Sequence, residues 1–174
     1  MKKEISFSAA LILIAVVSRL VTHEWNFTAM GAVAVMAGFL ISSRPLALAT
    51  VLSSLLISDF FIQFHNTMIA VYLAYALMAL IGIFMSSDKK FSRIVASSFI
   101  GSVVFFAVSN LGVWFEGQLY PQTLTGLVNC FEMAIPFFRN EMISTMILAP
   151  TLYYSFKKVG RTFLESNESF SRYN

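Results

Sequence analysis

The chain has 174 residues, of which 57% are hydrophobic and only 12% are charged. Soluble globular domains carry about 25% charged residues, so the composition excludes an ordinary soluble protein and predicts an integral membrane protein. The formal net charge of +3 does not by itself indicate a binding partner. In a membrane protein the informative feature is how the basic residues are distributed among the loops.

The apolar runs predict an all-α bundle of transmembrane helices. A helix that crosses a bilayer needs about 20 mostly apolar residues, so the chain has room for about six spans in a single domain, residues 1–174. In chain order we place them at about 5–21, 27–42, 45–58, 67–85, 93–110 and 137–156. The first span imitates a signal peptide, but no small-residue cleavage site precedes the polar segment 19–26, so we expect it to be retained.

Two of the spans have distinctive sequences. The second carries Gly31, Ala34 and Gly38 on one helical face, and small residues at such a spacing let a neighbouring backbone approach closely. The third is predicted to be short, ending at Asp59.

The segment 121–135 is too polar to cross a bilayer and too apolar for an ordinary loop. Its apolar residues recur at helical spacing opposite a polar stripe; the apolar set is Leu124, Leu127, Val128, Phe131 and Ile135, and the polar set is Gln122, Thr125, Asn129 and Glu132. We interpret it as a short amphipathic helix across one mouth of the bundle, begun near Pro121 and broken by Pro136. A movable lid over a pocket and a fixed cap over a packed core would both have this pattern.

The basic residues predict the orientation. Six spans place ten of the twelve on the side of the two termini: Lys2, Lys3, Arg44, Lys89, Lys90, Arg93, Lys157, Lys158, Arg161 and Arg172. Only Arg19 and Arg139 fall on the other side. The positive-inside rule therefore predicts cytoplasmic termini in the cytoplasmic membrane of a bacterium.

Polar and aromatic residues from several segments meet on the predicted outer face. Ionisable groups near the hydrocarbon are costly and usually face a cavity or a partner, which makes this face a candidate ligand site with contacts from Trp25, Asn26, Asp59, His65, Trp114, Asn129 and Asn140. An aromatic belt with hydrated interfacial side chains is the alternative. Arg19 and Asp59 each lie at the end of an apolar run, so we expect them to form a structural ion pair.

The sequence offers little that indicates catalysis. It has no His-Glu-x-x-His, no Gly-x-Ser-x-Gly, no paired cysteines and no glycine-rich phosphate loop. Cys130 is the single cysteine and is best interpreted as a packed small side chain. We expect no enzymatic activity, no metal, no cofactor and no nucleic-acid partner.

Several blocks of residues resemble a family of small, uncharacterised bacterial membrane proteins of unknown function. They are Trp25-Asn26-Phe27-Thr28, Ser58-Asp59 with His65 and Tyr72, Asn110 to Trp114, Tyr120 to Leu127, and Ala134 to Asn140. Ala29 departs from the proline expected after Asn-Phe-Thr. More distantly, the span count, the short third span and the helix before span six resemble the substrate-binding S components of energy-coupling-factor vitamin transporters. The first span lacks their Ala-x-x-x-Ala pattern, for which Ser6 and Ala10 are the nearest substitute.

Two functions follow as hypotheses. The first is a substrate-binding subunit or solitary transporter that captures a small micronutrient, such as a vitamin or its precursor, beneath the amphipathic helix. Because the chain has no nucleotide-binding motif, active uptake would need a separate energising module. The second is a non-transporting scaffold or assembly subunit whose outer face contacts another membrane protein.

Overall fold

The computed structural model describes residues 2–21, 26–88 and 90–172, with side chains over 3–21, 26–88 and 90–160. These residues form six helices: α1 (Lys2–Val21), α2 (Met30–Leu40), α3 (Arg44–Ile62), α4 (Met68–Met85), α5 (Phe91–Glu116) and α6 (Leu124–Arg172). Across these ranges the structure has no strand. The all-α prediction is therefore confirmed.

Successive helices run in opposite directions, so the start of α1 and the later part of α6 share one end of the bundle. There the rings of Phe7 and Phe156 lie 5.1 Å apart, and Glu4 accepts a hydrogen bond from the backbone N–H of Ser42 at 2.9 Å. We call this the terminal end. At the opposite, distal end, Arg19 of α1 meets Asp59 of α3.

Four of the helices, α1, α3, α4 and α5, are long and apolar enough to cross a membrane, which indicates a membrane protein. The other two helices do not meet this description, α2 because of its length and α6 because of its polar residues. α2 has only 11 residues, about 16 Å at 1.5 Å per residue, and α6 carries Arg139, Asn140 and Glu141 in its sequence.

The helix α2 is the core of the bundle. Every residue from Met30 to Phe39 is buried, and α2 packs against all five other helices. It is shorter than the predicted span 27–42: the N–H groups of Ala29 and Met30 donate to the hydroxyls of Ser18 and Thr28, so the helix begins only at Met30, and Ile41 is extended. Non-helical backbone is tolerated at membrane depth where protein surrounds it.

The small residues of α2 set its distance from its neighbours, as the sequence predicts. A Cβ at Gly38 would lie 2.5 Å from the carbonyl carbon of Gly82 and 2.9 Å from the carbonyl oxygen of Ala79. A Cβ at Gly82 would in turn collide with the backbone of Val35. α2 and α4 are therefore in backbone contact, which only glycine at both positions allows.

The third helix is not short. Ser43 caps it by accepting from the N–H of Leu46, Pro45 lies in its first turn where it needs no donor, and the helix continues one turn beyond Asp59. The carboxylate of Asp59 does not end the helix because Arg19 and Tyr72 satisfy it.

The prediction of a separate amphipathic helix that is broken at Pro136 is wrong. α6 is continuous from Leu124 and includes both Pro136 and Pro150. It begins later than Pro121, with the Thr123 hydroxyl accepting from the N–H of Gly126 at 3.1 Å, as an N-cap does. A proline removes one backbone donor, and packed membrane helices tolerate this because neighbouring groups satisfy the freed carbonyl.

Gly38→Leu should destabilise the bundle, since overpacking a core costs about 1–3 kcal/mol or more and here the obstacle is backbone. We expect a lower apparent unfolding temperature in detergent. Ala49→Leu, at an exposed position of α3, is the matched control and should leave that temperature unchanged. Equal behaviour of the two variants would contradict the α2–α4 backbone contact.

Candidate functional site

A cavity of about 420 Å³ opens between the helices at the distal end. α1, α4, α5 and α6 all contribute to its wall, together with the turns at 26, 65 and 119–120. Its described lining comprises Arg19, Asn26, His65, Val71, Tyr75, Phe105, Phe106, Ser109, Asn110, Val113, Leu119, Tyr120, Cys130, Met133, Ala134, Phe137 and Phe138. The site is thus assembled from segments far apart in sequence.

Aromatic rings form much of the cavity wall. The rings of Tyr75 and Phe105 lie 4.5 Å apart between centroids, and those of Phe106 and Phe138 lie 4.6 Å apart. Phe131 packs edge-on against Phe106 at 5.2 Å. Such contacts hold the rings in fixed positions, so the wall is preformed.

Polar groups complete the lining. Asn110 donates its side-chain N–H to the carbonyl of Phe106 at 2.7 Å, and the Asn110 carbonyl accepts from the Cys130 thiol at 3.5 Å. His65 Nδ1 and the Thr67 hydroxyl lie 2.9 Å apart. These bonds orient the polar groups on this side of the cavity.

An ionic network lies behind the cavity. Arg19 Nη2 approaches Asp59 Oδ1 at 2.6 Å, with the two side chains 16% and 1% exposed. This contact is ionic rather than a well-directed hydrogen bond. Directed bonds come from Tyr72, whose hydroxyl donates to Asp59 Oδ2 at 2.8 Å, and from Arg19 to the Ser58 hydroxyl. The predicted partners therefore meet, and Arg19 carries positive charge to the cavity wall.

Only some predicted ligand contacts lie at the cavity. Asn26 and His65 line it, whereas Asp59 lies behind Arg19 and is absent from the described lining. Trp25 falls outside the described residues. Asn129 is exposed and Asn140 is half-buried, and neither belongs to the described lining.

Trp114 holds a turn in place instead of lining the cavity. Its indole Nε1–H donates to the carbonyl of Pro121 at 3.1 Å, and the Gln122 amide donates to the carbonyl of Phe115 at 2.9 Å. Gly117, with φ 71°, ends α5 in the left-handed conformation that glycine adopts at no steric cost. The turn between α5 and α6 is thereby fastened to the end of α5.

The face of α6 that meets the cavity differs from both predicted faces. Cys130 and Ala134, four residues apart, are buried and line the cavity. The predicted polar stripe is exposed, and so are Leu124, Val128 and Ile135 of the predicted apolar face. Because Cys130 and Ala134 have small side chains, they leave the space that forms the cavity. The amphipathic pattern in the sequence distinguishes two faces of α6 that both lie largely on the outside of the bundle.

Sequence reasoning missed the aromatic wall. Tyr75, Phe105 and Phe138 lie inside apolar segments, where nothing in the sequence separates them from exposed phenylalanines such as Phe60 and Phe84. The signal that was present is the cluster of serines on α5, where Ser102 and Ser109 are buried seven residues apart and so mark its inward face.

Within the described residues, no group of three or more histidine, cysteine, aspartate or glutamate side chains could hold a metal ion. The arrangement instead suits a compact organic molecule, which aromatic walls with a few fixed polar groups can hold and orient.

The fold and the cavity together define an all-helical membrane protein with a preformed, small-molecule-sized cavity at one end of its bundle. Residues 1–167 match the model of a family of unknown function, DUF6580, and the chain belongs to that family. No curated protein and no solved structure matches the chain. The resemblance to an uncharacterised family is therefore confirmed, and a similarity to S components is not shown.

Asp59→Asn and Arg19→Gln should each destabilise the protein by about 3 kcal/mol, because removing one member of a buried pair leaves the other uncompensated. The double variant should lose less unfolding free energy than the sum of the two single losses, because the effects of substitutions at contacting residues are not additive. Denaturant unfolding in detergent measures all three.

The matched control is Asp88→Asn, which breaks the ion pair of Asp88 with Lys90. Those side chains are 40% and 73% exposed, and exposed pairs contribute about 0–1 kcal/mol. If Asp59→Asn were as mild as Asp88→Asn, the network would not stabilise the distal end.

Proposed function

We propose that the protein is a membrane-embedded substrate-binding subunit or solitary transporter that captures a small micronutrient, such as a vitamin or its precursor, from the extracytoplasmic side. The observation that carries this proposal is the distal cavity. Its volume of about 420 Å³ falls within the range of about 300–1,000 Å³ typical of small-molecule pockets.

The chemistry of the cavity supports a particular class of ligand. Tyr75, Phe105 and Phe138 offer ring faces against which a flat unsaturated group stacks. Arg19 supplies N–H donors and positive charge, and Asn26 and His65 add hydrogen-bonding groups at the lining. We therefore propose a compact ring-containing molecule that bears a carboxylate or another hydrogen-bond acceptor.

The orientation is part of the proposal. Several basic residues lie in the terminal half of the bundle or in the turns at that end. They are Lys3, Arg44, Lys90, Lys157 and Lys158, and by the positive-inside rule they support a terminal end that faces the cytoplasm across a bacterial inner membrane. The cavity would then face outward. In this arrangement all six helices cross, with α2 enclosed by the others.

The proposal also includes a route of uptake. Since the chain carries no nucleotide-binding motif, active transport would require a separate energising module of the energy-coupling-factor type, and a solitary transporter would work downhill. The six alternating helices are compatible with an S-component-like architecture, which is an argument by analogy.

Reporter fusions at Gln63 and Lys89 test the orientation. We expect a periplasmic reporter to be active at Gln63 and a cytoplasmic reporter at Lys89, because α4 separates the two positions. Activity of both fusions on the same side of the membrane would contradict six spans.

Native mass spectrometry of protein released from mild detergent tests ligand capture. We expect wild-type protein to carry a small non-lipid molecule and Ala134→Phe to lose it, since the larger ring fills the cavity. Ile135→Phe is the matched control, because Ile135 is 55% exposed and lies outside the described lining. An equal amount of bound molecule in the two variants, or binding only of membrane proteins, would favour the scaffold hypothesis and contradict ours.

A further inference from the structure

A carboxylic acid lies buried in the middle of the bundle, apart from the Arg19–Asp59 network. Glu141 of α6 is 2% exposed, and its Oε1 accepts a hydrogen bond from the Thr145 hydroxyl at 2.8 Å. Its Oε2 has no hydrogen-bond partner among the described residues, and neither does the buried hydroxyl of Ser102 on α5.

The two unsatisfied groups belong to one site. Ser102 interacts with the Glu141 carboxyl, yet the two do not meet in a well-formed hydrogen bond. Across from them, a Cβ at Gly31 of α2 would collide with both Glu141 Oε1 and Thr145 Oγ1. The bundle thus keeps a glycine where the carboxyl needs room.

The site lies next to the cavity. Glu141 follows the cavity residues Phe137 and Phe138 by one helical turn, and Ser102 precedes Phe105 by one turn on α5. Because α5 and α6 run in opposite directions, both displacements lead from the cavity toward the terminal end. The carboxyl is therefore one turn deeper in the membrane bundle than the cavity wall.

Few other titratable groups face Glu141. α2 contains none, and the inward group of α5 at this depth is the hydroxyl of Ser102. From α4 the titratable neighbour is Tyr75, which interacts electrostatically with Glu141 and also with Arg19 and Asp59. On α6 itself Arg139 is exposed. No described cation lies in an ion pair with the carboxyl.

We propose that Glu141, Ser102 and Thr145 form a proton-binding site inside the bundle, which takes up and releases one proton while the protein stays folded. On uptake, Oε2 of the carboxylate gains an O–H bond to a proton delivered by water that reaches the cavity, and this O–H donates to Ser102 Oγ. On release the proton returns to water and the Ser102 hydroxyl rotates to donate to Oε2.

The choice of residue supports this inference. A side chain that only joined α5 to α6 could be an amide or a hydroxyl, which avoids the cost of burying a charge. A carboxyl with one oxygen unsatisfied adds the ability to exchange a proton, and intramembrane carboxyls of this kind mark proton relays. The inference does not depend on the proposed ligand, because proton binding is measurable on the protein without it.

Infrared difference spectroscopy of the purified protein in lipid nanodiscs, recorded as the pH is changed, tests the proposal. We expect a carboxylic-acid C=O stretching band that appears on acidification and is lost in Glu141→Gln. It should shift in Ser102→Ala, which removes the partner of the acid O–H. Glu132→Gln, at an exposed position of the same helix, is the control and should retain the band.

The outcomes that overturn the proposal are distinct. A Glu141 band that persists at every pH at which the protein is folded would show a fixed structural acid. Absence of the band at all pH values, its survival in Glu141→Gln, or its response to Na⁺ at constant pH without any response to pH would each contradict proton binding. If Glu141→Gln does not fold, an unchanged wild-type band in folded Ser102→Ala overturns it.

Discussion

The structure depends on the backbone contact between α2 and α4. Because Gly38 and Gly82 have no side chains, a helix of 11 residues is enclosed by five others, and every residue from Met30 to Phe39 is removed from lipid. Lipid offers no hydrophobic driving force for helices to associate, so close packing of this kind has to supply much of the stabilisation. The outer helices are arranged around this centre.

A tightly packed centre gives the two ends of the bundle different properties. Toward the terminal end the rings of Phe7 and Phe156 bring α1 against α6, and a cavity of about 280 Å³ beside the ends of α2 and α4 is smaller than the distal one. At the distal end α2 begins only at Met30, and Cys130 and Ala134 of α6 are too small to fill the gap. The space becomes a cavity with the Arg19–Asp59 pair behind it. The candidate site is thus a consequence of where the central helix begins.

The sequence predicted those features that depend on local composition. Apolar runs identified the helices, small residues identified the close contact of α2, and isolated charges identified Arg19 and Asp59 as partners. It failed where tertiary packing decides: Pro136 lies within a continuous helix, α3 continues past a satisfied Asp59, and Trp114 fastens a turn. The rings of Tyr75 and Phe105 could not be assigned to a cavity, because an inward phenylalanine and a lipid-facing one have the same sequence signal.

A structure of the protein extracted directly into native-lipid nanodiscs, determined with a bound antibody fragment, would show whether the distal cavity holds a small molecule. We expect ordered non-lipid density between the ring of Tyr75 and the wall formed by Phe137 and Phe138, in contact with the guanidinium of Arg19. Density for a lipid acyl chain, or a cavity closed by its own side chains, would contradict it.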